Sequence, residues 1–260
     1  MNTILFDLGG TLIEDPFEDV LSALYHEYLK ANFANMEKDA LMDFFSYWRD
    51  ENLGTDYAFA SHFLQEETWP LRALLRLSRT KGVPRHDEIP LLSVTILKRY
   101  RELAHRQIES QPQLPMLKNL LTWLKGAGAK IGVASNDREF AARTMLTWAD
   151  LAEPFDWIFT SEGLSETYPK AEKPAPEFFH AVLREINQSR SEWSQTVYVG
   201  DSERNDIIPA RSLGIRTVRY LNRRNLQKSS WLDTSTESIA DYQCSDRAEL
   251  PSIFRKILRT

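Results

Sequence analysis

The chain has 260 residues, of which 42% are hydrophobic and 27% charged, with a net charge of −5. That length suits one large or two modest domains around a sizeable core, and the acidic balance argues against nucleic-acid binding, which needs a basic face. Its one cysteine, Cys244, excludes an internal disulfide and a cysteine-based metal cage. No run of about 18 apolar residues marks a membrane span. The first residues enter a strand pattern interrupted by Asp7, unlike a signal peptide. A cytosolic protein with no membrane or nucleic-acid partner is expected.

The first predicted element is a buried strand, Ile4-Leu5-Phe6, that ends in Asp7-Leu8-Gly9-Gly10-Thr11. A parallel strand of this kind delivers its terminal acid to the carboxyl edge of a sheet, where open α/β folds bind ligands. The two glycines let backbone N–H groups approach an anion closely. Residues 16 to 110 then read as helical. Pro16 opens one helix with apolar residues at Val20, Leu21, Leu24, Tyr25, Tyr28 and Leu29, a second covers 38–52, a third 57–81 with a break at Pro70, and a fourth 89–107.

From Leu114 onward helices and strands alternate. A helix over 116–125 stops at Gly126 and Gly128, and the strand 129–134 ends in Ser135-Asn136-Asp137. A helix at 138–149 precedes a short strand at 156–160. The segment 170–176 carries Lys170 and Lys173, and a helix follows at 177–186. The strand 196–199 ends in Gly200-Asp201-Ser202, and the next helix is predicted to open at Asp206 and close at Gly214. A strand over 215–220, a polar surface loop at 222–238, an edge strand at 242–244 and a helix at 250–258 complete the chain. This alternation predicts a doubly wound parallel sheet with helices on both faces.

The strand ends gather complementary chemistry: Asp7, Ser135 and Asp201, with Lys173 in the loop before a helix. A lysine and a hydroxyl can hold a phosphoryl group, while the acids hold a divalent metal that neutralises it. Hard cations prefer oxygen ligands, and Mg²⁺ commonly takes one or two carboxylates with water and phosphate. In that setting Asp7 is placed to attack phosphorus and form an aspartyl-phosphate.

The order Asp7-Leu8-Gly9-Gly10-Thr11, Ser135-Asn136, Lys173-Pro174 and Gly200-Asp201-Ser202-Glu203-Arg204-Asn205-Asp206 resembles the haloacid dehalogenase (HAD) superfamily. The resemblance covers nearly the whole chain and includes the helical insertion after the first motif, which looks like that superfamily's α-helical cap. It implies a Rossmann-like α/β core at 1–15 and 112–260, with an all-α cap at 16–111. It implies Asp7 as nucleophile and metal ligand, the Gly9 carbonyl and Asp201 as further Mg²⁺ ligands, and Thr11, Ser135, Asn136 and Lys173 as phosphoryl-binding groups. Asp206 would support the metal from behind or reach it through water. The expected activity is Mg²⁺-dependent hydrolysis of a small phosphorylated metabolite. The metal-free dehalogenase branch fits less well, because Asp201 without a metal would repel a haloacid carboxylate.

One position departs from the resemblance. Most phosphatases of the superfamily carry a second aspartate, an acid and then a base, where this chain has Gly9. General acid–base help is worth about 10²–10⁴-fold, so roughly 3–5 kcal/mol of barrier is at stake. Three readings stand open. The substrate has a leaving group that departs without a proton, such as an acyl phosphate or phosphoanhydride. Another group, such as Glu14, Asp15, the cap or the substrate itself, supplies the acid. Or the chain has become a phosphotransferase or a low-turnover binding or regulatory protein.

Several site residues also have plainer readings. Ser135 and Asn136 would serve as caps for the following helix, and Asp206 would charge a helix N-terminus. Lys170 competes with Lys173. Glu203 and Arg204 read as surface residues, and Arg223, Arg224 and Lys228 as part of a solvated loop. Cap aromatics such as Tyr25, Phe44, Trp48, Tyr57, Phe59 and Trp69 read as core, and the five histidines lack metal-ligand spacing.

Overall fold

The computed structural model describes residues 2–14, 16–30, 70–71, 74–75, 78–79, 85–186, 189–222 and 238–258. The helix expected at 38–52, most of the one at 57–81, Asp15 and the basic cluster of the loop at 223–237 lie outside them. Two compact units result: one formed by Met1–Glu14 with Gln111–Thr260, the other by Asp15–Ser110.

The first unit is an α/β layer structure. Its strands are β1 (Thr3–Phe6), β2 (Lys130–Ser135), β3 (Trp157–Thr160), β4 (Thr196–Gly200), β5 (Arg216–Tyr220) and β6 (Tyr242–Cys244). They form one sheet in the order β3-β2-β1-β4-β5-β6, parallel throughout. The chain builds outward from β1 to β3, then crosses back to begin β4 on the other side of β1. That reversal makes the carboxyl ends of β1 and β4 the topological switch point, the usual ligand position in such sheets. In register, Phe6 lies opposite Val133 on one side and Val199 on the other, so β1 ends two residues short of Ser135, the last of β2, and one short of Gly200, the last of β4.

The central strands are apolar because both their faces are covered. Ile4, Leu5 and Phe6 are fully buried, as are Val133, Tyr198 and Val199. Helix α6 (Pro176–Glu185) brings Phe178 and Phe179 to the sheet, and the Phe179 ring meets Tyr198 edge-on at 4.9 Å. The terminal helix α8 (Leu250–Ile257) buries Leu250, Ile253, Phe254 and Ile257 at helical spacing, and Phe254 meets Phe6 at 6.0 Å. Asp246 and Glu249 form a capping box just ahead of α8.

Helices α3 (Leu114–Gly126) and α7 (Ile208–Ser212) both end at a glycine with φ of +80°, Gly128 and Gly214. In each, paired backbone bonds close the turn: Gly128 N–H to Lys125 O with Ala129 N–H to Leu124 O, and Gly214 N–H to Arg211 O with Ile215 N–H to Ala210 O. Helix α4 (Glu139–Trp148) follows β2, and a short helix α5 (Ser161–Ser165) follows β3. Helix α5 was not anticipated; it is set by the Thr160 hydroxyl, which accepts the Gly163 N–H at 3.1 Å.

The second unit contains α1 (Phe17–Leu24), continued by a π-helical turn to Leu29, and α2 (Ile89–Glu109). The two pack together. Helix α2 buries Ile89, Leu92, Ile96, Tyr100, Leu103, Ala104 and Ile108, a stripe at three- and four-residue spacing. Glu27 and Arg106 add an exposed ion pair at 3.0 Å. Among the described residues no helix is long and apolar enough to cross a membrane.

Candidate active site

Asp7 leaves β1 directly, its backbone N–H donating to Val199 O at 2.8 Å. The loop behind it closes on itself: Leu12 and Ile13 N–H donate to Leu8 O, and Gly10 N–H donates to Ile13 O. Gly10 has φ of +82°, and a β-carbon there would stand 2.7 Å from Asp201 Oδ2. Glycine is therefore required both by backbone conformation and by the close approach of the acid. Gly9 is different: nothing lies within 4 Å of a β-carbon built on it, and it is outside the left-handed region.

Lys173 is buried, and its ammonium donates to Asp7 Oδ1 at 2.5 Å, Asp206 Oδ1 at 2.7 Å and the Tyr198 hydroxyl at 3.0 Å. Its backbone is held by the Asn136 side chain, which accepts the Lys173 N–H and donates to the Lys173 carbonyl, both at 2.8 Å. Lys170 is exposed, so the competition between the two lysines resolves in favour of Lys173 as the residue beside Asp7.

Asp7, Asp201 and Asp206 bring one carboxylate oxygen each within 4.8 Å of one another. Asp206 was expected to open a helix. Instead a π-helical turn starts at Glu203, because Ser202 caps it by accepting the Asn205 N–H at 3.1 Å. The wide turn folds Asp206 back beneath Gly200, where a β-carbon would lie 2.5 Å from Asp206 Cβ. Both Asp206 oxygens are engaged: Oδ1 accepts from Lys173 and Tyr198, and Oδ2 accepts the Ser202 N–H at 3.0 Å.

Burial pushes the Asp7 carboxyl well above the usual carboxylate range; Lys173 opposes this, while Asp206 and Asp201 reinforce it. Burial also works against the Lys173 ammonium, but Asp206 and then Asp7 act the other way and hold its pKa well above that of an ordinary lysine. Tyr198 is raised well above the ordinary phenol by burial first and by Asp206 second, so it is a neutral donor. Among the described residues three carboxylates converge here, two of them bonded to Lys173, and oxygen-only donors of this kind suit a hard divalent cation. The residues present fit a magnesium-type ion.

Ser135 and Asn136 do not cap α4, whose N-cap is Arg138 with no side-chain cap bond. Ser135 is bonded to Asp137 at 2.7 Å, and Asn136 is committed to Lys173. The Thr11 hydroxyl is buried with no hydrogen-bond partner among the described residues, while its carbonyl accepts from Arg247 Nε at 2.8 Å. Glu203, expected at the surface, is largely buried. It pairs with the fully buried Arg219 at 3.1 Å and accepts the Ile239 N–H at 2.9 Å. Arg204 is exposed, as expected.

Four neighbours of the site were not singled out from sequence. Tyr198 sits mid-strand and reads as core. Asp137 lies two residues beyond Ser135. Asn222 follows the end of β5 and donates to Asp201 Oδ2 at 2.6 Å and Gly10 O at 3.2 Å; a buried polar residue past a fifth strand end was the available signal. Arg247 pairs with Glu14 at 2.8 Å and stacks 4.2 Å from the Tyr220 ring centre, and nothing local in the sequence marks it.

A family model described as haloacid dehalogenase-like hydrolase matches residues 1–214. The glyceraldehyde 3-phosphate phosphatase of Methanocaldococcus jannaschii is 32% identical over 149 residues, 56% of this chain and 58% of that protein's length. Solved structures share the fold at lower identity. The HAD-hydrolase YfnB from Bacillus subtilis, determined bound to magnesium, has a TM-score of 0.61 at 18% identity over 98% of both chains. A 2-haloacid dehalogenase from Pseudomonas syringae has a TM-score of 0.58 at 21% identity, covering 98% of this chain and 99% of the other. A HAD phosphatase from Thermococcus onnurineus has a TM-score of 0.52 at 21% identity over 98% of each. Dehalogenases and phosphatases share this architecture, so reaction type has to be argued from the site. The extent of the family match, carried by a parallel sheet whose strand ends converge on Asp7, establishes that this chain belongs to the haloacid dehalogenase-like hydrolases.

Proposed function

We propose that the chain is a Mg²⁺-dependent phosphohydrolase acting on a small phosphorylated metabolite through an aspartyl-phosphate on Asp7. The observation that carries this reading is the buried Lys173 ammonium 2.5 Å from Asp7 Oδ1, inside a trio of aspartates. Without a metal, Asp201 beside Asp7 would repel the carboxylate of a haloacid, which argues against the dehalogenase reaction. The M. jannaschii protein, a phosphatase by its name, supports phosphoryl transfer from a small phosphorylated compound.

Asp7, the Gly9 carbonyl and Asp201 would hold the metal, with Asp206 behind them. When bound, the ion supplies charge neutralisation for the phosphoryl oxygens. An Asp7 carboxylate oxygen attacks phosphorus, and the bond from phosphorus to the leaving oxygen breaks with its electron pair. Lys173 offsets the negative charge that develops on the transferring group. Asp206 and Tyr198 hold the lysine in place, and Ser135 and the buried Thr11 hydroxyl donate to phosphoryl oxygens. Water then attacks the aspartyl-phosphate, releases inorganic phosphate and restores Asp7.

Gly9 shapes the substrate range. Glu14, a candidate replacement acid, is ion-paired with Arg247, and its backbone N–H is tied to Gln111 at 2.9 Å. The Glu14 side chain is already engaged by Arg247. This favours substrates whose leaving group departs unprotonated, such as acyl phosphates or phosphoanhydrides. The same lack of a base slows attack by water, which favours phosphotransfer to another acceptor as the second reading.

The experiment is phosphate release from acyl, aryl and sugar phosphates, with and without Mg²⁺, for wild type and Asp7→Asn. Mg²⁺-dependent release lost in Asp7→Asn supports the proposal. Release that persists in Asp7→Asn, or that ignores Mg²⁺, contradicts it.

A further inference from the structure

Ser135 and Asp137, at the end of β2, hold each other in a closed pair. Ser135 Oγ donates to Asp137 Oδ2 at 2.7 Å, and the Asp137 backbone N–H donates back to Ser135 Oγ at 3.2 Å. Both are buried, at 3% and 8% exposure. A serine hydroxyl has one proton to give. With that proton on a carboxylate, Oγ turns only lone pairs outward, and a phosphoryl oxygen needs a donor. A phosphoryl group arriving at Ser135 must therefore take the proton from a charged acceptor, and charge-assisted bonds of this kind are the stronger ones.

We propose that Asp137 is a positioning residue that weakens phosphoryl retention by competing for the Ser135 hydroxyl proton. The proposal rests on the reading that Ser135 binds the phosphoryl group. Its consequence lies at the end of the cycle. Inorganic phosphate, held by Lys173 and a divalent ion, is the ligand most at risk of being kept too tightly. A carboxylate that reclaims the serine proton lowers that affinity and speeds release. Nothing in the sequence motif requires an acid at this position, since Ser135 and Asn136 alone carry the resemblance.

The test measures the dissociation constant of inorganic phosphate by ³¹P NMR titration with Mg²⁺ present. It compares wild type with Asp137→Asn, Asp137→Ala, Ser135→Ala and the Asp137→Asn/Ser135→Ala double variant. Asp137→Asn is isosteric and can donate to Oγ, freeing the serine proton; Asp137→Ala removes the acceptor altogether. Both are expected to bind phosphate about tenfold more tightly, the scale of one recovered hydrogen bond. KM and kcat should fall together as release slows. In the Ser135→Ala background the gain should shrink below about threefold. The proposal is overturned if Ser135→Ala weakens phosphate binding but neither Asp137 variant strengthens it. It is also overturned if the full gain persists without Ser135, which would make the effect one of charge alone. If Ser135→Ala leaves phosphate affinity unchanged, the role of Ser135 in the underlying reading fails, and this proposal falls with it.

Discussion

The Lys173 ammonium is shared between Asp7 Oδ1 at 2.5 Å and Asp206 Oδ1 at 2.7 Å, one buried cation bridging acids that come from β1 and from the turn after β4. Breaking such a pair from one side leaves uncompensated charge and costs about 3–5 kcal/mol. Lys173→Met is therefore expected to lower unfolding free energy by about that amount in urea titration and to abolish phosphate release. A variant as stable as wild type would mean that the two acids protonate or separate without cost.

The two adjacent glycines of the first motif should respond in opposite ways. Gly10→Ala forces a side chain into a left-handed φ and drives its β-carbon to 2.8 Å from Asn222 Nδ2 as well as against Asp201. A loss of about 1–3 kcal/mol is expected, with weakened Mg²⁺ binding. Gly9→Ala meets nothing within 4 Å and should change stability by less than about 1 kcal/mol. Thermal unfolding of the two variants side by side makes the comparison.

The open space at the Gly9 β-carbon position makes an aspartate there the natural next variant. Gly9→Asp is expected to raise hydrolysis of alkyl phosphates by about 10²-fold, within the range of general acid–base help, and to change acyl phosphate hydrolysis by less than about threefold. Equal effects on both classes would show that leaving-group protonation does not set the substrate range.

Asn222 supports Asp201 from behind, donating to Oδ2 at 2.6 Å while also holding the Gly10 carbonyl. Partners of this kind are typically worth about 10–100-fold in metal affinity. Asn222→Ala should show that loss in calorimetric titration with Mg²⁺, without a change in the sheet's far-ultraviolet signature.

Cys244 gives a prediction independent of the site. Burial first, then Glu249, pushes its thiol up to about 12, with Arg247 opposing. At pH 8 its thiolate fraction is then about 10⁻⁴, against roughly a quarter for an ordinary thiol. The native protein should resist thiol reagents that label it at once in denaturant. The folded state keeps a proton that the unfolded chain loses, so this group contributes a fall in stability as pH rises from about 9 toward about 12.

The fold was legible because its determinants are local. The apolar run Ile4-Leu5-Phe6, the glycine stops at Gly128 and Gly214 and the alternation after Leu114 each specify an element without distant partners. The places of Asp7, Ser135 and Asp201 at strand ends were legible for a related reason, since polar residues there stand out against an apolar run, while Lys173 was picked out in the loop ahead of α6. Tyr198 was not, because a tyrosine inside a strand looks the same whether or not a lysine reaches its hydroxyl. Arg247 lies 236 residues from Thr11, whose carbonyl it holds, and only tertiary packing brings them together. Asp206 was read as a helix start because the π-helical turn that re-aims it depends on the space above Gly200.

The central claim is that Asp7 carries the phosphoryl group. Rapid acid quench after mixing with ³²P-labelled acetyl phosphate and Mg²⁺, followed by peptide mapping, tests it most directly. Label on the peptide containing Asp7, formed within one turnover and absent from Asp7→Asn, is the expected result. Turnover with no labelled protein, or label retained in Asp7→Asn, would contradict it.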